Sequence, residues 1–354
     1  MQTPKFSKGN SFHVEMKKRI NDYFANTGQN PTGNFKLWGK ALILLVTWVA
    51  VYIHLVFYTP GVLMCVFECI VLGGLTAAIG FNIMHDGAHG SFSKYPAMNK
   101  AAAVTLGFLG GSHFMWDVKH NMIHHAYTNI DGVDDDIDAR PFLRMAPTQK
   151  KHKLYRYQHL YFWFFYGWLH AFWILFSDFK KYFARKVGDI PLKKMKFKDH
   201  FWFWTYKAVS FSLFFVIPSL MVGFWPTMLG FAILTFFAGV VLSIVFQLAH
   251  TVEHTHFPMP DEVTAKMEDE WAIHQIKTTA NFATRNRVIS WLVGGLNFQV
   301  EHHLFPKISH IHYPAINKIV KQVCLEFKVE YIEYPRMRQA VASHVMFLKR
   351  MGRA

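Results

Sequence analysis

The chain has 354 residues, 52% of them hydrophobic, with a formal net charge of +15. A soluble domain seldom combines such apolar weight with such basicity, whereas a membrane protein puts apolar residues in lipid and collects Lys and Arg on one face. Nucleic-acid binding, the other standard reading of a basic chain, is excluded because the apolar residues come in long uninterrupted blocks.

In chain order, residues 1–36 are polar and carry Lys5, Lys8, Lys17, Lys18 and Arg19. They contain no apolar segment, so the reading is a cytoplasmic N-terminal segment rather than a cleavable signal peptide. Two blocks follow, 40–57 and 61–84, each close to the 20 or so residues a bilayer requires. Tyr58-Thr59-Pro60-Gly61 joins them as a turn. The apolar stretch 101–114 is too short to cross, and the Trp- and Tyr-rich run 157–179 reads as an interfacial helix; the alternative, a fifth crossing, would break the topology because both flanks are basic. Two more spans, 201–222 and 227–249, are joined by Gly223-Phe224-Trp225-Pro226.

Every one of the 38 Lys and Arg lies at or before Lys40, between residues 85 and 207, or after His250. Both hairpin turns therefore face outward, and both termini lie in the cytoplasm. The predicted fold class is all-α integral membrane: four transmembrane helices as two hairpins, with a cytoplasmic helical cap. Residues 37–320 form the membrane domain and 321–354 a cytoplasmic C-terminal segment. The three cysteines, Cys65, Cys69 and Cys324, form no C-x-x-C pair, which excludes a zinc ribbon.

Histidines group where the spans meet the cap. His85 and His89 end the second span in HDGAH, His120, His124 and His125 follow in HNMIHH, His250 ends the fourth span, and His302 and His303 lie in QVEHHLFP. Residues i and i+4 share a helix face, so His85 with His89, and His120 with His124, each present two imidazoles in one direction. An adjacent His pair offers ligands to two metals. One such pair alone is commonly a hydrogen-bonded surface or core feature. HDGAH also looks like the zinc protease motif, but with Asp in place of Glu. Three clusters on one side of a membrane bundle instead indicate a metal site. Seven or eight imidazoles exceed what one ion needs, so the count predicts two. Zinc has no redox chemistry, whereas an iron pair at the lip of an apolar interior suits oxidation of a hydrocarbon chain.

These boxes, His85/His89, His120/His124/His125 and Gln299/His302/His303, closely resemble those of the membrane fatty acid desaturase family, in the family's order and over about residues 40 to 320. The segments GGLNFQVEHHLFP (294–306) and WAIHQIKTTANF (271–282) resemble the front-end subgroup. The resemblance implies two iron ions held by His85, His89, His120, His124, His125, His302 and His303, with His250 as an eighth ligand. It also implies Gln299 as a ligand through its carbonyl or a water. His254, one turn beyond His250, is a further candidate, although a surface histidine is the more ordinary reading. Asp86, Asp117, Asn129, Asn297, Glu301 and the acidic loop 131–138 are candidates to orient the ligands.

The implied reaction inserts a cis double bond into an acyl chain carried on coenzyme A, on carrier protein or in a lipid ester, using O2, as in a linoleoyl-CoA desaturase. No HPGG haem motif of a fused cytochrome b5 domain occurs, so the expected electron donor is a separate cytochrome b5 or ferredoxin. A hydroxylase or ketolase on the same scaffold is the enzymatic alternative. A membrane metal transporter is the non-enzymatic one, although its ligands belong at the bilayer midplane.

Overall fold

The structure is a computed structural model that describes residues 3–7 and 11–354. Strand β1 (Lys5–Ser7) and helix α1 (Ser11–Thr27) precede α2 (Phe35–Tyr58) and α3 (Val62–His89). The second histidine cluster lies on α4 (113–127). Then come α5 (Lys153–Ala184), the antiparallel pair β2 (Lys186–Val187) and β3 (Ile190–Pro191), α6 (Phe197–Val222) and α7 (Phe224–His250). The last third of the chain holds β4 (Lys266–Glu270), α8 (Trp271–Lys277), β5 (Ala280–Phe282), α9 (Gln299–Leu304), α10 (Tyr313–Glu326), β6 (Ile332–Tyr334) and α11 (Met337–Arg353).

Local chemistry sets several boundaries. Asn34 caps α2 by accepting from Lys36 N. Thr59 in the left-handed region and Pro60 turn the chain into α3. Pro218 interrupts α6, and a π-helical turn, Ser212–Val216, directly precedes it. The outward faces of α2 and α3 are exposed and apolar: Leu42, Val46, Val49, Leu63 and Phe67 have no protein neighbour to bury them. Only 17% of the most apolar window of α6 is buried within the chain, so lipid must cover the rest.

Inside the bundle, α7 packs along both α3 and α5 at glycines. A Cβ on Gly73 would stand 2.5 Å from Leu234 O, and one on Gly239 would collide with Gly167 O. Small residues permit this close approach of helices in lipid. Trp48, Tyr52 and Leu72 pack with Phe214 and Leu234 in the core of the four predicted spans.

All four predicted segments are helical, and α2, α3, α6 and α7 extend them by a few residues. Among the described residues, α5 is a fifth helix long and apolar enough to cross. It replaces the predicted run 157–179 with a longer helix, both of whose ends bond to segments outside the four predicted spans. Near its start, Gln158 Nε2 donates to Leu348 O in α11, 2.8 Å, and to Arg144 O, 3.0 Å. Near its end, Lys181 pairs with Asp135 at 3.1 Å in the acidic loop after α4.

The terminal segments pack as part of the core. Phe12, Met16 and Ile20 of α1 meet Ile316, Val320 and Val323 of α10. Phe347, Leu348 and Met351 of α11 lie against Phe162 and Tyr166 of α5. Strands β1 and β4 pair in parallel, as do β5 and β6.

Candidate metal centre

Four separate segments deliver the histidines to one place. His85 and His89 form the last turn of α3, just after a π-helical turn, Gly80–Met84. In α4, residues Asp117–His124 are π-helical, and His125 N donates to His120 O. That i to i−5 bond widens the turn, so His120, His124 and His125 all share one face. His250 is the final residue of α7. His302 and His303 lie on the buried helix α9. Gly294 and Gly295 turn the chain into α9 at φ +60 and +66, and a Cβ on Gly294 would stand 2.5 Å from Phe81 O of α3. Only glycine allows that approach.

The eight histidines predicted as ligands converge. His85, His89, His120 and His302 place ligand atoms within 4.8 Å of one another, and His124, His250 and His303 do so as a second group. His125 stands between the groups, its ring centroid 4.6 Å from His302 and 4.5 Å from His303. The Nε2 atoms of His85 and His120 are 3.2 Å apart, and those of His120 and His125 are 3.3 Å apart. Two imidazole nitrogens bound to one ion at about 2.1 Å stand about 3 to 3.4 Å apart, so the spacing fits a shared metal.

Hydrogen bonds on the far side orient four of the rings. His124 Nδ1 donates to Asp134 Oδ2 at 3.0 Å, His303 Nδ1 to Gln275 Oε1 at 2.8 Å and His250 Nδ1 to Thr278 O at 3.3 Å, and His302 Nδ1 pairs with Tyr313 Oη at 3.1 Å. Where Nδ1 donates, the neutral ring keeps its lone pair on Nε2. The Nε2 atoms of His89, His124, His302 and His303 are buried and have no hydrogen-bond partner. A buried polar atom without a partner costs about 1–3 kcal/mol, and these four, two in each group, are donors suited to cations. Burial, with neighbouring imidazoles adding to it, holds His120, His125, His302 and His303 well below the ordinary histidine value. They are therefore neutral, the form that binds metal. In His124 burial also disfavours the cation, but the Asp134 carboxylate outweighs it and raises the pKa. Carboxylate–histidine pairing of this kind is usual at bound metals.

Gln299 stands at the second group, its Nε2 3.4 Å from His250 Nε2 and its Oε1 buried without a partner. The other predicted supporting residues lie elsewhere. Asp86 accepts from Ser309 Oγ at 2.9 Å and from His310 Nδ1 at 3.0 Å, turned away from the cage. Glu301 accepts from Asn281 Nδ2, Asn317 Nδ2 and Tyr331 Oη, and burial still pushes its carboxyl up to about 7. Asn297 donates to Ser290 Oγ and Ala283 O, shaping the turn before α9. Asn129 donates to His250 O and so fixes the end of α7. His254 is exposed and joins neither group. Of the acidic loop, Asp134 alone bonds a cage histidine within ordinary hydrogen-bond distance. Gln275 and Tyr313 were not among the predicted residues; they lie 28 residues before His303 and 11 after His302, where no spacing rule marks them.

A family profile described as fatty acid desaturase matches residues 60–335. The chain is 37% identical to an sn-1 linoleoyl-lipid 6-desaturase of Arthrospira platensis, covering 98% of this chain and 94% of that protein. It is 36% identical to an sn-1 linoleoyl-lipid 6-desaturase of a Synechocystis species, covering 99% and 98%. An acyl-lipid (8-3)-desaturase of Physcomitrium patens is 34% identical over 98% of this chain and 72% of its own length.

Proposed function

Because the chain belongs to the fatty acid desaturase family, we propose that its histidine cage holds two iron ions and that it desaturates acyl chains esterified in lipid. That it is a fatty acyl desaturase, an oxidoreductase introducing double bonds, follows from the family and from relatives that match along the whole chain. The finer reading is front-end insertion of a cis double bond. It is supported by Gln299 in the third box and by relatives named for 6- and (8-3)-desaturation of lipid-bound chains. The observation that carries the two-ion reading is the division of the imidazoles into two groups with His125 between them.

The proposed ligands are His85, His89, His120 and His302 for one ion and His124, His250 and His303 for the other, with His125 at the centre and Gln299 beside the second. A bound iron pair supplies the oxidation: two hydrogens leave adjacent methylenes, and O2 takes them with two electrons and two protons to give two waters. The chain's own groups hold and orient. Asp134, Gln275, Tyr313 and Thr278 O lock four rings with Nε2 inward. Trp116 stacks on His120 at 4.4 Å, and Phe246 covers His124 and His250, which keeps that side of the cage apolar. No side chain needs to act as acid or base on the substrate.

The topology we propose keeps four crossings, α2, α3, α6 and α7, with α5 in the interface. The attachment of both α5 ends to segments flanking the cage supports this. Both termini and the cage then face the cytoplasm, where a separate cytochrome b5 or ferredoxin supplies electrons. The cage lies at the ends of α3 and α7 rather than mid-membrane, which disfavours a transporter.

Metal analysis of the purified protein tests the two-ion reading. Two irons per chain are expected; a single ion per chain, or zinc in place of iron, contradicts it. In the same assay Gln275→Leu removes the shorter partner of His303 Nδ1 and leaves only Thr128 Oγ1 at 3.3 Å. It should weaken iron retention about 10- to 100-fold while the helical content is unchanged.

A further inference from the structure

Residues 283–287 and 335–337 are far apart in the sequence, yet the parallel pairing of β5 with β6 sets them side by side. Phe282 stands opposite Tyr334, and Ala283 N donates to Tyr334 O at 2.9 Å. Between them lies a cleft of about 430 Å3, walled by Ala283 and Pro335 and lined by Arg285, Asn286, Arg287 and Arg336. That volume falls within the range of about 300–1,000 Å3 usual for small-molecule sites.

All three arginines are exposed, and among the described residues none forms a salt bridge. Arg19 and Arg140, by contrast, each sit against a carboxylate. Glu333, three residues before Arg336, is already engaged by Thr284 Oγ1 and Lys321 Nζ. Three guanidinium groups in one small cleft repel one another unless an anion lies between them. Their planar forks match the oxygens of a phosphate.

The surroundings indicate the source of that phosphate. The short helix Arg287–Leu292 leaves the cleft with Val288 68%, Trp291 42% and Leu292 46% exposed. Lys40, near the start of α2, lies over the Trp291 ring at 4.9 Å, and Asn82 Nδ2 of α3 donates to Leu292 O at 2.9 Å. The cleft therefore sits where α2 and α3 leave the apolar belt, with a basic pocket above an exposed apolar flank. Free phosphate would need only the arginines. A lipid would use both, with its phosphate among the guanidinium groups and its glycerol and upper acyl carbons over Val288, Trp291 and Leu292.

We propose that this three-arginine cleft is a headgroup site for an anionic phospholipid. The test uses the full-length protein in phosphatidylcholine nanodiscs containing a minority of phosphatidylglycerol, with retained lipid read by native mass spectrometry. Wild type should retain phosphatidylglycerol selectively. The Arg285→Gln/Arg287→Gln/Arg336→Gln protein should retain about tenfold less or lower still, and Lys193→Gln/Lys194→Gln/Lys196→Gln, which removes exposed charge elsewhere, should match wild type. Equal retention by wild type and the glutamine triple would overturn the proposal, as would equal loss from the control triple. Displacement of the lipid by millimolar inorganic phosphate would identify free phosphate as the ligand and also overturn it. Retention is read without turnover, so failure here leaves the desaturase reading untouched.

Discussion

His125→Ala is expected to abolish desaturation, with product falling at least about 100-fold, and to lower the iron content, while the membrane bundle stays folded. Its ring centroid lies within 4.8 Å of those of His89, His120, His302 and His303, so it touches both ligand groups. No other residue could replace it, because its neighbours' lone pairs are already directed at their own group. The bundle depends on different contacts: α7 against α3 and α5 at Gly73, Gly239 and Gly167, and the apolar core around Trp48 and Leu72. Activity, bound iron and circular dichroism of the same preparation check all three parts. Loss of helical signal would mean that the residue is structural rather than a ligand.

Lys207→Met should cost the fold about 3–5 kcal/mol, seen as a large drop in the thermal midpoint in detergent. Lys207 Nζ donates to Asp178 Oδ2 at 2.9 Å, to Gly110 O at 2.7 Å and to Ile174 O at 2.9 Å. Asp178 is fully buried, and its carboxylate also accepts from Ser112 N and Trp173 Nε1. Removing the ammonium strands that carboxylate in an apolar setting, which is why breaking a buried pair costs more than the pair itself contributes. The double variant Lys207→Met/Asp178→Leu should recover much of the loss. The pair ties the end of α5 to α6 about three turns from its start and to the segment entering α4, so its loss should also loosen the approach to the cage. An unchanged midpoint in Lys207→Met would show that the pair is solvated and that α5 is not pinned there.

Much of this arrangement could be read from residues 40–84 and 201–249, because long apolar blocks, charge-free turns and the distribution of Lys and Arg leave few alternatives. The helix α5 was harder. It is the least apolar of the five, and polar residues at its ends make interface and crossing look alike in composition. The cage itself was legible because spacing carries it. Helix phase explains what was missed around it. Asp86 and Glu301 adjoin ligands in sequence, but successive helical residues point about 100° apart. Asp86 therefore faces Ser309 and His310, and Glu301 faces Asn281, Asn317 and Tyr331. The groups that do orient the rings, Gln275 and Tyr313, come from other elements and are brought in by tertiary packing alone. The π-helical turns that align His120, His124 and His125 also leave no mark in hydropathy, yet they explain why adjacent histidines can share one face.

The most direct measurement is expression of the chain in a host of known fatty acid profile, with a working electron donor, followed by mass spectrometric mapping of double bonds in each lipid class. A new cis double bond, placed between an existing one and the carboxyl end of lipid-bound chains, is the expected result. A folded, iron-loaded protein that yields hydroxylated chains, or no new unsaturated product, would contradict it.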